Sequence, residues 1–149
     1  MSTTDNTTTI VTEISINAPA ARVWEALSDP EHRVRWWTAG GRFKALDMES
    51  DLRPGGSWVM RFDSGGNPTS VGGVYRRVEP PRVLETSWAP SWDPNATGTN
   101  VRFDLEERDG VTTVRITHAG FANEAARQRH RGWPELLAAL RVYAEQSGG

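Results

Sequence analysis

An amphipathic segment near the C-terminal end constrains this sequence more than any other feature. Five apolar residues recur in it at offsets of 0, 3, 4, 7 and 10 positions, which places their side chains on one face of an α-helix. They are Trp133, Leu136, Leu137, Leu140 and Tyr143. Residues 9–119, which precede this segment, show mostly strand patterns. A single long helix after a run of strands has to bury its apolar face against the sheet, and a curved sheet can leave a cavity between the two.

Alternation of apolar and polar residues predicts a series of short strands before the terminal helix. Turn signals separate them, among them the glycine-rich segment 64–68 and the pair Asp109-Gly110, which is typical of a tight hairpin. The predicted strands are Thr9–Ile16, Phe43–Glu49, Ser57–Asp63, Ser70–Glu79, Arg82–Ala89, Asn100–Glu107 and Val111–Ala119.

Two short helices are predicted between the first two strands. Pro19 suits the first position of one helix, and Asp29, which precedes a proline, suits the N-cap of the next, which ends near Trp36 and Trp37. Adjacent helical residues point about 100° apart. We therefore expect one of these two tryptophans to be buried and the other to cap a cavity mouth or form an interface. Trp92, in a loop rich in Pro, Asn and Gly, is a similar candidate for a lid or an interface.

The terminal helix is predicted from about Ala122 to Gln146. Pro134 lies inside it and removes one backbone hydrogen bond, which predicts a kink or a restart near Gly132-Trp133. The helix also carries a local basic cluster, which we interpret as a solvated face. The cluster consists of Arg127, Arg129, His130 and Arg131.

Length and local composition suggest one domain. The chain has 149 residues, which suits a single core. Residues 1–8 are polar and rich in threonine, so we expect them to be disordered and residues 9–146 to form the domain. Residues 1–8 lack the apolar core of a signal peptide, and no apolar run approaches the ~20 residues that span a bilayer. We expect a cytoplasmic protein without a membrane span.

Charge and residue usage argue against several classes of function. With 17 basic and 19 acidic residues the net charge is −2, which gives no support for nucleic-acid binding. The absence of cysteine excludes disulfides and thiolate chemistry. The three histidines lie on different predicted elements and show no metal-binding spacing. We therefore expect neither a metal nor another cofactor, and no residue set is typical of a catalytic centre.

A series of short motifs extends over most of the chain. The motifs are Ala18-Pro19, Val23-Trp24, Ala26-Leu27, residues 29–32, Trp36-Trp37, residues 51–56, residues 73–75, residues 84–88, and Gly132-Trp133 with Leu137 and Leu140. In their order and spacing they resemble the family homologous to the activator of the heat-shock chaperone ATPase, and the resemblance covers the chain from about Ile10 to Tyr143.

The resemblance implies membership of the START-like, or SRPBCC, superfamily. Its fold is the α+β helix-grip (Bet v-like) fold, in which a curved antiparallel sheet wraps a long C-terminal helix around a hydrophobic cavity, with two short helices after the first strand. Members of the superfamily bind lipids, hormones or polyketides, and others are cyclases, oxygenase subunits or cochaperone-like proteins. The fold therefore indicates where a ligand would lie and leaves its identity open.

Candidate ligand-binding residues follow from the predicted faces. One face of a strand carries Trp58, Met60 and Phe62, which are suited to lining an apolar pocket and equally to packing against the terminal helix. The full set of predicted ligand-binding residues is Trp58, Met60, Phe62, Trp88, His118, Trp133, Leu137 and Leu140.

His118 is the most interesting polar residue of this set. It shares the strand parity of Val114 and Ile116, so it faces the same side of the sheet as they do. It could orient a ligand or act as an acid or base near neutral pH. Alternatively, it lies near the strand end and bonds to a backbone carbonyl or to water. Glu85 would be a buried carboxylate only if its side of the strand, opposite to that of Trp88, faced inward.

These observations predict a binding module for a small hydrophobic molecule. A first alternative is an enzyme of the cyclase or hydrolase type that uses the same cavity, with His118 as acid or base. A second is a cochaperone-like or other interaction module that binds a protein through exposed tryptophans. A second copy of the chain, in a homodimer, is a further candidate partner.

Overall fold

The computed structural model describes residues 9–38, 43–91, 97–128, 130 and 132–146. Seven strands and four helices form within these ranges. The strands are β1 (Thr9–Ile16), β2 (Phe43–Ser50), β3 (Ser57–Ser64), β4 (Asn67–Glu79), β5 (Val83–Pro90), β6 (Thr99–Arg108) and β7 (Val111–Ala119). The helices are α1 (Ala20–Ser28), α2 (Pro30–Trp36), α3 (Glu124–Gln128) and α4 (Trp133–Gln146).

All seven strands belong to one antiparallel sheet, in the order β1-β7-β6-β5-β4-β3-β2. After β1 the chain passes through α1 and α2 to the opposite edge of the sheet, and then returns strand by strand until β7 pairs with β1. Helix α4 packs against β1, α1 and α2. This is the α+β helix-grip fold expected from the sequence, with two short helices after the first strand and the longest helix at the end. Within the described ranges no helix has the length and apolar character needed to cross a membrane.

The hairpins form where the turn residues predict them. Ser64 pairs with Asn67, so the β3–β4 connection is the two-residue turn Gly65-Gly66. Both glycines have positive φ, 59° and 90°, as a tight hairpin turn that matches the twist of its strands requires. The Asp109-Gly110 turn is likewise confirmed, since Arg108 pairs with Val111.

The terminal helix is interrupted rather than continuous. Helix α3 ends at Gln128 and α4 begins at Trp133, so the single helix predicted from Ala122 is wrong, whereas the predicted restart near Gly132-Trp133 is confirmed. Pro134 occupies the second position of α4, where the missing N–H has no intrahelical partner to lose. The backbone N–H of Leu136 donates to the carbonyl of Gly132 at 3.0 Å and closes the first turn.

The strand alternation sorts side chains into a buried and an outward face. Trp58, Met60 and Phe62 on β3 are all at most 3% exposed. On β5, Trp88 lies on the buried face and Glu85 on the outward face, where its carboxylate accepts a 2.7 Å hydrogen bond from Nδ2 of Asn100. The buried-carboxylate hypothesis for Glu85 is therefore not supported.

The Trp36-Trp37 pair departs from the helical expectation. Both side chains are buried, at 3% and 1% exposure, whereas the sequence predicted one buried ring. Helix α2 ends at Trp36, and Trp37 has φ −76° and ψ 76°. Because Trp37 lies beyond the last helical residue, the 100° spacing does not apply to it. Trp36 Nε1 donates to the carbonyl of Ala26 at 2.8 Å. The other loop tryptophan, Trp92, lies outside the described residues.

Candidate functional site

A cavity of about 260 Å³ lies where the β3–β4 hairpin, the end of α2 and the start of α4 meet. Its volume is slightly below the ~300–1,000 Å³ of typical ligand pockets, so it suits a small molecule. Most of its wall is apolar, with a few polar side chains. The lining residues are Trp37, Phe43, Phe62, Ser64, Thr69, Trp88, His130, Gly132, Trp133 and Leu136.

Aromatic rings form the main wall of this cavity. The ring centroids of Trp88 and Trp133 are 5.2 Å apart, and those of Phe43 and Phe62 are 4.8 Å apart. Trp37 connects the two pairs, since its ring lies edge-on to both Trp133 and Phe62 at 6.2 Å. Such tilted and edge-to-face contacts are favourable and keep the rings in place.

The structure brings only part of the predicted set to the cavity. Phe62, Trp88 and Trp133 line it. The other predicted residues are buried in the core but are not among the lining residues; they are Trp58, Met60, His118, Leu137 and Leu140. The cavity lies at one end of the helix-grip interior, beside the first turn of α4. Leu137 and Leu140 therefore join the packed core beyond it.

Seven lining residues were not in the predicted ligand-binding set. Leu136 belongs to the same helical stripe as Leu137, and Trp37 was already a candidate for the cavity mouth. Both could therefore have been included in the predicted set from the sequence alone. Ser64 and Thr69 flank the β3–β4 turn, and no local pattern places them beside α4. The remaining missed residues are Phe43, His130 and Gly132.

His130 is buried, contrary to the prediction from the sequence. It was interpreted as part of a solvated basic face, but its side chain is 6% exposed. The break between α3 and α4 turns it inward, where its ring lies 5.4 Å from that of His118 and 5.2 Å from that of Phe121. Arg127 of the same cluster pairs with Glu124 at 2.9 Å. The other two members, residues 129 and 131, lie outside the described residues.

His118 is fully buried, and both of its ring nitrogens are engaged. Trp133 Nε1 donates to Nδ1 across 3.1 Å, and Nε2 lies 2.8 Å from Oγ1 of Thr99. Desolvation lowers the pKa of His118 to about 3, with a further lowering from nearby His130. The imidazole is therefore neutral at physiological pH and serves as a polar link within the core.

Arg33 on α2 is a buried cation that the sequence analysis overlooked. Its side chain is 1% exposed, and its guanidinium carbon lies 5.0 Å from the ring centroids of both Trp37 and Trp58. Nη1 donates to the carbonyl of Leu27 at 3.4 Å. Desolvation lowers the pKa of Arg33 to about 10, which still leaves it charged near neutral pH, and nearby Tyr75 opposes part of that shift.

Several buried donors near the cavity lack hydrogen-bond acceptors among the described residues. They are Nε and Nη2 of Arg33 and the indole Nε1 of Trp37 and of Trp88. Both tryptophans line the cavity. Buried polar groups of native proteins are nearly always paired, so each such donor requires an explanation.

A group of three potential metal ligands lies at the α1–α2 junction. One ligand atom each from Glu25, Asp29 and His32 falls within 4.8 Å of the others. Contacts within the protein account for all three. His32 Nε2 lies 3.5 Å from Glu25 and its Nδ1 lies 2.6 Å from the hydroxyl of Tyr143, while Asp29 caps α2 by accepting from the N–H of Glu31.

Comparison with known proteins places this chain in a family. The family model described as Activator of Hsp90 ATPase homolog 1-like protein matches residues 17–145. A protein of Nitrosomonas europaea has a similar structure, with a TM-score of 0.82 at 19% identity over 97% of this chain and 99% of that one. The AHSA1-like protein from Aeromonas hydrophila aligns with a TM-score of 0.75 at 24% identity over 93% and 94% of the two chains.

CalU16 from Micromonospora echinospora is 27% identical, with a TM-score of 0.67 over 94% of this chain and 78% of that one. No curated protein sequence matches the chain. The structural likenesses show the shared fold, and the family model covers most of the sequence. The protein therefore belongs to the Activator of Hsp90 ATPase homolog 1-like family.

Proposed function

We propose that this protein binds a small, largely apolar molecule in the cavity beside the first turn of α4. The observation that carries the proposal is the aromatic wall around a volume of about 260 Å³. Burial of apolar ligand surface contributes about 25 cal/mol per Å², so a molecule of the size of a bicyclic aromatic gains several kcal/mol before the costs of association. Ser64 and Thr69 supply polar groups that can orient it.

Two residues on which the alternative functions depended, His118 and Trp37, do not occupy the positions those functions require. The enzyme hypothesis required His118 to reach the cavity, but both of its nitrogens are engaged within the core. The interaction hypothesis required Trp37 or Trp92 to be exposed. Trp37 is 1% exposed, and Trp92 lies outside the described residues, so this alternative stays a prediction. No observation favours either alternative over ligand binding. A cytoplasmic location and a homodimer remain predictions.

The indole N–H signals of a ¹⁵N-labelled sample provide a direct test. We expect 1-naphthylacetamide, a neutral bicyclic probe, to shift the signals of Trp37, Trp88 and Trp133 saturably. The signal of Trp24, which is not among the lining residues, should stay in place. Single Trp→Phe variants assign the four signals.

Two serines at opposite ends of β3 give a matched pair of variants. Ser64→Phe places a ring at the cavity and should weaken binding at least about tenfold, since it occupies part of the ligand volume. Ser57→Phe adds the same ring at an exposed position outside the lining and should leave the affinity unchanged. Absence of saturable shifts, or equal effects of the two variants, would overturn the proposed function.

A further inference from the structure

Arg33 is a buried charge that no acidic side chain compensates. Among the described residues, no carboxylate forms an ion pair with it. Desolvation lowers its pKa, and Tyr75 rather than a carboxylate opposes part of that shift. Burial of an unpaired ion costs several kcal/mol, and proteins usually pair such groups. The faces of Trp37 and Trp58, each 5.0 Å away, offset part of this cost through cation–π attraction.

Two of the three guanidinium nitrogens of Arg33 have no hydrogen-bond acceptor among the described residues. Nη1 is engaged by Leu27, whereas Nε and Nη2 have no acceptor among the described residues. Nε–H and the nearer N–H of Nη2 lie on the same edge of the planar guanidinium and point in parallel. That edge is one of the two forks with which arginine binds both oxygens of a carboxylate. The vacant donors therefore match a planar monoanion better than a single neutral acceptor.

Trp37 joins this cation to the cavity. Its ring packs against the guanidinium of Arg33 and also forms part of the cavity wall. Trp37 lies beyond the last residue of α2, and its indole N–H bonds to no acceptor among the described residues. Packing against rings such as Phe62 and Trp133 is therefore what holds its rotamer, and Trp37 is in contact with both the cavity and Arg33.

We propose that the natural ligand is a small aromatic or alicyclic carboxylic acid, whose ring fills the cavity and whose carboxylate pairs with Nε and Nη2 of Arg33 after Trp37 turns aside. This inference rests on the proposed function and adds the chemical class of the ligand. The apolar body gains affinity from the aromatic wall. The carboxylate supplies the counter-charge that the protein lacks, in a desolvated setting where a bidentate charge-assisted pair is strong.

A matched pair of probes tests the inference near neutral pH. 1-Naphthylacetate and 1-naphthylacetamide share the ring and differ in charge. In the wild-type protein we expect the acid to bind about tenfold or more tightly than the amide, measured by calorimetry. Arg33→Met should abolish this preference. Arg33→Lys should retain part of the preference, since an ammonium keeps the charge without the fork.

Control measurements separate the possible failures. Arg35→Met, at an exposed position of the same helix, should preserve the preference for the acid. In wild-type protein the Nε–Hε signal of Arg33 should shift with the acid and stay in place with the amide, which tests the contact even if Arg33→Met does not fold. Equal affinities for the two probes in the wild type, or a preference that persists in Arg33→Met, would overturn the inference. Failure of both probes to bind would instead contradict the proposed function.

Discussion

The indole nitrogen of Trp133 donates a hydrogen bond to Nδ1 of His118 across 3.1 Å. Because an indole N–H can only donate, Nδ1 must be the acceptor, and the imidazole proton lies on Nε2, which donates to Oγ1 of Thr99 at 2.8 Å. These two hydrogen bonds link Trp133, the first residue of α4, to His118 on β7 and then to Thr99 on β6. The start of the helix beside the cavity is therefore held by polar bonds as well as by apolar packing.

The neutral state of His118 makes stability depend on pH. Its pKa is about 3 in the folded protein and ordinarily 6.5, so between these values the unfolded chain binds a proton that the folded chain excludes. The contribution of neutral His118 to the free energy of unfolding is fully present above pH 6.5 and decreases as the pH falls toward 3. The slope of this decrease is up to about 1.4 kcal/mol per pH unit. Urea unfolding at several pH values measures this slope. His118→Gln should reduce it, and an unchanged slope in that variant would assign the pH dependence to other groups.

Truncation of α4 should distinguish its buried face from its exposed face. Leu140 is fully buried, so Leu140→Ala should lower the free energy of unfolding by about 2–5 kcal/mol through lost burial and a residual cavity. Val142 on the same helix is 52% exposed, and Val142→Ala should change stability by less than about 0.5 kcal/mol. Chemical denaturation compares the two variants. Similar losses in both would contradict the packing of α4 described above.

Much of the fold follows from local sequence patterns because the sheet buries one face. The alternation of apolar and polar residues predicted β7 at Val111–Ala119 and placed the side chains of Trp58 and Phe62 on the buried face of the sheet. Register and burial are coupled in such a sheet, so the pattern of each strand carries information on the whole layer. The restart of the terminal helix was also predictable, since a proline removes a backbone hydrogen bond inside a helix but none in its first turn.

The site was less predictable because its position depends on packing between distant segments. Nothing in the charged segment of α2 distinguishes Arg33, which is buried, from Arg35, which is exposed. His130 appears in a basic cluster, and only the break before α4 turns it inward. The cavity is lined by residues of β3, β4 and α4, among others. The periodicity of one segment does not show which other segments it packs against.

The Trp58–Thr86 hydrogen bond offers a test of polar pairing in the core. Trp58 Nε1 donates to Oγ1 of Thr86 at 2.7 Å, and both side chains are buried. Thr86→Val keeps the shape but leaves the indole N–H without its acceptor, so we expect a loss of about 1–3 kcal/mol in the free energy of unfolding. Thr117→Val, at a half-buried strand position, should be nearly neutral and serves as the control. A neutral Thr86→Val would show that the indole finds another acceptor.

Gly73 is required by the close approach of β5 to β4. A Cβ atom at this position would lie 2.0 Å from the carbonyl oxygen of Ser87 and 3.0 Å from Oγ1 of Thr86. The first contact is with backbone, which cannot move aside as a flexible side chain would. Gly73→Ala should therefore lower the free energy of unfolding by about 3 kcal/mol or more, as strong overpacking does.

The matched control for Gly73→Ala is Gly65→Asn in the β3–β4 turn. Gly65 has φ 59° and open space around it, and asparagine tolerates this left-handed conformation. Its substitution should change stability by less than about 0.5 kcal/mol, partly because asparagine restricts the unfolded chain more than glycine does. Thermal and urea unfolding of both variants measure the difference. A mild Gly73→Ala effect would mean that β4 and β5 can separate locally without loss of the sheet, in which case the short contact to Ser87 does not constrain this position.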